Sequence, residues 1–218
     1  GVEACVATAL QMQLRLPHNI WSEHSLNGVQ LACMRPGSFA DSAAYGCTRF
    51  LSCSLDVASG LIFNRERRWM CRLLILSTLS GAPARAFAAV AQPSKDKWLR
   101  SLIREAEAGS ARHAILVEAR ALGPLGLALL DGSQAALSRV FSATYFALPR
   151  FCKWLGGYVE EEQVKAYTQI LDDIDAGRAP NFATSQASTT ARLHYGLPVG
   201  ASLRDVFTCM RAEGMLSR

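Results

Sequence analysis

The stretch Trp154–Tyr167, WLGGYVEEEQVKAY, puts three consecutive carboxylates, Glu160, Glu161 and Glu162, inside a helix-like run that ends in a tyrosine. Three acids in a row on an otherwise apolar helix have three readings. They are solvated, they are first-turn charges stabilised by the helix dipole, or one of them points inward at a metal. Standing alone the stretch reads first as an acidic first turn, so the choice depends on the chain around it.

Working outward, Pro149 opens the helix that carries the triplet, expected over about 150–176, and Gly177 closes it as a C-cap. Before it, Ser38 and Asp41 open a helix to about Phe63. The charged turn NRERR (64–68) separates that helix from a second, about 68–90, which Pro83 should kink. Charged and apolar residues alternate at helical period over about 95–121, and an apolar helix is expected over about 125–148. After a polar loop at 178–188, Ser202 caps a last helix, Leu203–Leu216. No segment shows useful strand alternation. The expected fold class is all-α: a ferritin-like four-helix bundle with accessory helices, monotopic and membrane-associated. The expected domains are an extended N-terminal arm over 1–37 and a helical bundle over 38–218. His18, Glu23 and His24 in the arm read as polar surface, since no further ligand pattern accompanies them.

Composition sets bounds. Half of the 218 residues are hydrophobic and 19% are charged, and the mean hydropathy of +0.12 is high for a soluble domain. That balance points to a membrane-associated or heavily buried chain. The net charge of +5 favours an anionic lipid surface. The arginines are scattered rather than gathered in a basic tract, so nucleic acid is not an expected partner. The seven cysteines contain no CxxC pair and are read as reduced, mostly buried thiols. No run of eighteen apolar residues predicts a spanning helix. The chain begins with Gly1, which fits removal of a targeting segment.

The order of motifs resembles the mitochondrial alternative oxidases, membrane-bound di-iron ubiquinol oxidases. Where the family reads LETVAGVP, this chain has Leu76–Pro83, LSTLSGAP. Where it reads EAENERMH, this chain has Glu105–Arg112, EAEAGSAR. GYLEEEAVHTY corresponds to Gly157–Tyr167, GYVEEEQVKAY, and the DIDxGxxP pattern to Asp173–Pro180. LPxxATLRDV corresponds to Leu197–Val206, and RADEAxH to Arg211–Ser217. The resemblance covers about Asp41 to the C-terminus.

The resemblance implies six iron-ligand positions, a lone carboxylate on each of two helices and an ExxH pair on each of the other two. They fall on Ser77, Gly109, Arg112, Glu160, Gly214 and Ser217, so that Glu160 alone keeps the family's residue type. His113 lies one residue past a ligand position and Glu107 two before another; neither repairs the site without a shift of register. Arg112 facing Glu160 would put an ion pair where the family holds metal. The resemblance also implies a quinol pocket at Arg72, Leu76 and Tyr167, with Gln163 and Ala166 where the family has alanine and threonine.

The expectation is therefore a catalytically inactive relative with no cofactor, its di-iron centre lost. It would serve as a structural accessory subunit of a respiratory-chain complex, monotopic at the mitochondrial inner membrane. Its partners would be subunits of that complex, membrane lipid and, if the pocket persists, quinone. The alternatives are a quinone- or lipid-binding membrane protein and an active quinol oxidase with an atypical metal site.

Overall fold

A computed structural model describes residues 36–62, 65–88, 97–120 and 124–216. The expected N-terminal arm, apart from its last two residues, lies outside them, as does Ser217. The described residues form helices α1 (Phe39–Ile62), α2 (Arg65–Ala88), α3 (Lys97–Arg120), α4 (Pro124–Ala147), α5 (Pro149–Asp175), α6 (Pro180–Thr184), α7 (Thr189–Tyr195) and α8 (Leu203–Leu216), with no strand among them. The all-α reading holds. One detail differs from the sequence reading: the charged segment at 65–68 belongs to α2, which runs through Pro83 as the expected helix did.

The core lies between α2, α3, α5 and α8. Met70, Leu73 and Leu76 of α2 meet Ile115 and Leu116 of α3, Tyr167 and Ile170 of α5, and Phe207 and Met210 of α8. Helix α1 packs on α5 and α2, and α4 on α2 and α5. These two outer helices carry exposed apolar side chains: Phe39, Phe50 and Val57 on α1, Val140 and Phe146 on α4. Among the described residues no helix is long and apolar enough to cross a membrane. The five described cysteines are free; Cys152 and Cys209 are buried, but Cys47 and Cys53 are exposed, contrary to the mostly buried expectation.

Local chemistry fixes the ends of α5. Pro149 sits in its first turn, where a missing N–H costs nothing. Gly177 adopts φ +70°, its N–H donates to the Ile174 carbonyl, and that of Arg178 to the Asp173 carbonyl. That is the Schellman arrangement. The short α7 ends in the same way at Gly196, φ 64°, and begins at Ser188, whose side chain accepts from the Ala191 N–H. A single antiparallel bridge, Gln186 to Ser202, ties the α6–α7 connection to the start of α8.

Asp173, near the end of α5, gathers donors from three places. Arg65 Nε (2.7 Å) and Nη2 (3.1 Å), Trp69 Nε1 (2.7 Å), and Arg178 Nε (2.9 Å) and Nη2 (2.7 Å) all donate to it. Burial alone would raise the pKa of this carboxyl. The hydrogen bonds from Arg65, Trp69 and Arg178 outweigh burial and hold it at about 2. The group therefore stays ionised in the fold at pH values where the unfolded chain has already protonated it. Its contribution is complete above about pH 4 and is lost as pH falls toward about 2. Asp173→Asn should cost about 2–3 kcal/mol in urea unfolding at neutral pH, since its arginine partners are half-exposed and share the loss with water. The gap to wild type should close across that acidic window.

Candidate functional site

The acidic triplet is buried. Glu160, Glu161 and Glu162 are 8%, 3% and 3% exposed and lie in the middle of α5 rather than in its first turn. Neither the solvated nor the helix-dipole reading applies, because the dipole acts within the terminal turn. Each carboxylate instead faces a cation, with Lys165 shared between Glu161 and Glu162. Glu160 Oε1 accepts from Arg112 Nη2 of α3 at 3.3 Å. Glu161 pairs with Lys165 Nζ one turn on, at 2.8 Å. Glu162 accepts from Ser52 Oγ at 3.0 Å and Lys165 Nζ at 3.1 Å, and lies 3.6 Å from Arg72 Nη2 and 3.5 Å from Arg49 Nη1. Burial works against the charge on Glu162, but the Lys165 and Ser52 hydrogen bonds and the Arg49 charge hold its pKa below the ordinary value.

Arg112 is the centre of the site. Its side chain is 2% exposed. Burial opposes the guanidinium charge, and the negative charges of Glu213 and Glu160 overcome that penalty and raise its pKa. Glu213 itself accepts from the Tyr195 hydroxyl at 2.8 Å. Gly214 makes the space on the α8 side: a Cβ there would lie 2.8 Å from Val164 Cγ2 and 3.4 Å from Arg112 Nη1. The cluster is thus assembled from α3, α5, α7 and α8.

Of the residues singled out from sequence, the structure brings Arg112, Glu160 and Gly214 together. Gly109 is buried one turn before Arg112 on α3. Ser77 is fully buried on α2; its hydroxyl donates to the Leu74 carbonyl and meets His113 Nδ1, each at 2.8 Å. His113 thus reaches α2 at Ser77, itself one of the implied ligand positions. The side chain of Glu107 lies outside the described residues. Leu76 and Tyr167 share the main core cluster. Arg72 is held by Asp56 (2.9 Å) and Ser52 (3.1 Å) with its guanidinium 5.6 Å from the centre of the Trp69 ring. Sequence reasoning missed the Tyr195–Glu213 contact and the bond from the Tyr158 hydroxyl to Asp41 of α1 at 2.6 Å. Burial and the bond to Asp41 push the Tyr158 phenol up to about 12.

With this geometry in place, the comparisons decide the family. The alternative oxidase profile matches residues 21–218. The chain belongs to the alternative oxidase family. It is 26% identical to the mitochondrial alternative oxidase of Cryptococcus neoformans var. grubii over 89% of this chain and 56% of that protein. It is 25% identical to that of Ajellomyces capsulatus, over 90% of this chain and 62% of the relative. For Trypanosoma brucei brucei the figures are 28% identity, 88% and 61%. The chain spans about three-fifths of the length of these relatives.

Membership corrects two expectations. The relatives are named as oxidases, which overturns the inactive accessory subunit: loss of a ligand pattern was read as loss of function, and the pattern reports only one way of holding metal. The expectation of no cofactor falls with it, because the family points to iron. The residues at the implied ligand positions nevertheless do not fit a di-iron pair. A guanidinium fills one position, a second has no room for a Cβ, a third is a serine bonded to His113, and a single carboxylate, already paired with Arg112, remains. Among the described residues no group of three or more His, Cys, Asp and Glu could hold a metal ion. The chemistry at iron therefore cannot be assigned to these positions.

Two substitutions check the site. Glu160→Ala should destabilise by about 3 kcal/mol, because it removes a counter-charge from a fully buried guanidinium. Glu161→Ala, whose partner Lys165 reaches solvent, should cost about 1 kcal/mol or less; equal losses in thermal unfolding would contradict the geometry. Gly214→Ala should cost about 1–3 kcal/mol by overpacking. Adding Val164→Ala should recover part of that loss in a double-mutant cycle.

Proposed function

We propose that this chain is a quinol oxidase of the alternative oxidase family, attached to one leaflet of the mitochondrial inner membrane and using an atypical metal site. The observation that carries the reading is the family match over residues 21–218. Two features of the chain support it. The side chains at the family's quinol-pocket positions, Arg72, Leu76 and Tyr167, are all present and buried between α2 and α5. Most of the large exposed apolar residues among the described ones fall on the outer helices α1 and α4, with Leu148, Leu193 and Val199 elsewhere, which suits a chain that dips into a bilayer without crossing it. The matched relatives are named mitochondrial, which supports the compartment; placement at its inner membrane is part of the proposal.

The overall reaction transfers four electrons and four protons from two quinols to one dioxygen, giving two quinones and two waters. Iron held by ligands other than the six standard positions is part of the proposal. Within the chain, the paired charges at Glu160, Glu161 and Glu162 hold α5 in register against α1, α2 and α3. They thereby fix where Tyr167 stands relative to Leu76 and Arg72.

The test is oxygen uptake by the full chain reconstituted in vesicles that contain ubiquinol, with bound iron measured per chain. The expected result is uptake that requires quinol, stops when a chelator removes iron and returns when ferrous iron is restored. An iron-loaded chain that consumes no oxygen would sink the oxidase reading. Uptake by a chain free of iron would sink the metal part of it.

A further inference from the structure

Tyr158 of α5 donates its hydroxyl to Asp41 Oδ1 of α1 at 2.6 Å, and both residues are buried. The length is that of a charge-assisted O–H···O⁻ bond, and it puts the carboxylate within reach of the phenolic proton. Asp41 is itself held for this contact. Its other oxygen, Oδ2, accepts from the Gly37 N–H at 2.8 Å, which leaves Oδ1 turned to the phenol. The Tyr158 ring also meets the ring of Tyr45 edge-on, with the centroids 5.3 Å apart. Tyr45 lies one turn after Asp41 on α1 and is 37% exposed. A phenol at the surface, a phenol in the core and a carboxylate that can take its proton are thus in mutual contact. Neither tyrosine takes part in the pairings of the acidic triplet or in the hydrogen bonds around Arg112.

We propose that Tyr45, Tyr158 and Asp41 form a one-electron donor site that quenches organic peroxyl radicals reaching the protein surface. A peroxyl radical takes the hydroxyl hydrogen atom of Tyr45 and leaves as a hydroperoxide. The Tyr45 phenoxyl radical then accepts an electron from Tyr158 across the ring contact and a proton from solvent. The Tyr158 proton passes to Asp41 Oδ1 along the bond already made. What remains is a neutral Tyr158 radical, hydrogen-bonded to a protonated Asp41 and shielded from water by the burial of both. The carboxylate sets the direction. Loss of the electron without the proton would leave an unpaired cation in the core, and a base already in place removes that cost in the same step. Tyr45 has the exposure to meet the radical, and Tyr158 has the base. The site does not depend on the quinol oxidase reading.

The experiment exposes the full chain, in nanodiscs of saturated lipid, to peroxyl radicals from a water-soluble azo initiator and freezes samples for electron paramagnetic resonance. The initiator supplies the radicals, so the result is independent of any oxygen uptake by the chain. Wild type should show a neutral tyrosyl signal, and Tyr158→Phe should remove it. Tyr45→Phe should slow its appearance and leave its line shape unchanged. Asp41→Asn keeps an oxygen to accept the bond but cannot take the proton, and should lower the yield by about a hundredfold. Tyr158→Phe keeps the ring and decides the case even if Asp41→Asn fails to fold. A signal that persists unchanged in Tyr158→Phe places the radical elsewhere and overturns the site. A folded Asp41→Asn chain with the wild-type yield overturns it too, and marks the bond as a tie between α1 and α5 only. So does a wild-type chain that forms no tyrosyl radical.

Discussion

Successive residues of an α-helix point about 100° apart, so three adjacent buried carboxylates cannot be satisfied from one side. That constraint organises the molecule. Glu160 draws a cation from α3, Glu161 takes Lys165 from its own helix, and Glu162 is met from α1 and α2 by Ser52, Arg49 and Arg72. An unpaired carboxylate at any of these depths would be costly. Each pairing therefore dictates which neighbour stands where, and α5 becomes the post around which the other long helices are placed. Apolar packing between Leu73, Leu76, Ile115, Ile170 and Phe207 supplies the bulk of the attraction, but it is non-directional, and the charges supply the register.

At the centre of the bundle the chain trades one kind of cross-link for another. The resemblance implies a place where carboxylates and imidazoles from four helices meet. Here a guanidinium from α3 reaches a carboxylate on α5 beside a glycine on α8 and a Tyr195–Glu213 pair. The helices still converge on one polar point, and the family's fold survives with different chemistry at that point. Membership and ligand pattern are separate properties, and the inactive reading came from treating the second as a measure of the first.

Much of the fold was legible because the long helices carry strong signals: apolar repeats, Pro149 at one start and Gly177 at one stop. Helix α7, TTARLHY, was missed as a helix. Its seven residues show no apolar repeat, and its only local signs are the capping Ser188 and the left-handed Gly196. In the site, the Arg112–Glu160 pair was readable because opposite charges stood at two positions that the resemblance brings together. The five hydrogen bonds on Asp173 were not, since Arg65 and Trp69 lie more than a hundred residues away in sequence. The bond between Tyr158 and Asp41 was not readable either. A tyrosine in a helix shows its polarity in the sequence, but what answers that polarity depends on the packing of α1 against α5.

The close packing at Gly214 also bears on the history open to this chain. A Cβ at position 214 would lie 2.8 Å from Val164 Cγ2, while its 3.4 Å distance to Arg112 Nη1 is an ordinary contact, so Val164 rather than the guanidinium stands in the way of a side chain there. Replacing Arg112 would take from the buried Glu160 the cation that reaches it from α3. A single step back toward the family pattern at either position therefore passes through a less stable protein, and the present arrangement is entrenched by its own packing whatever first favoured it.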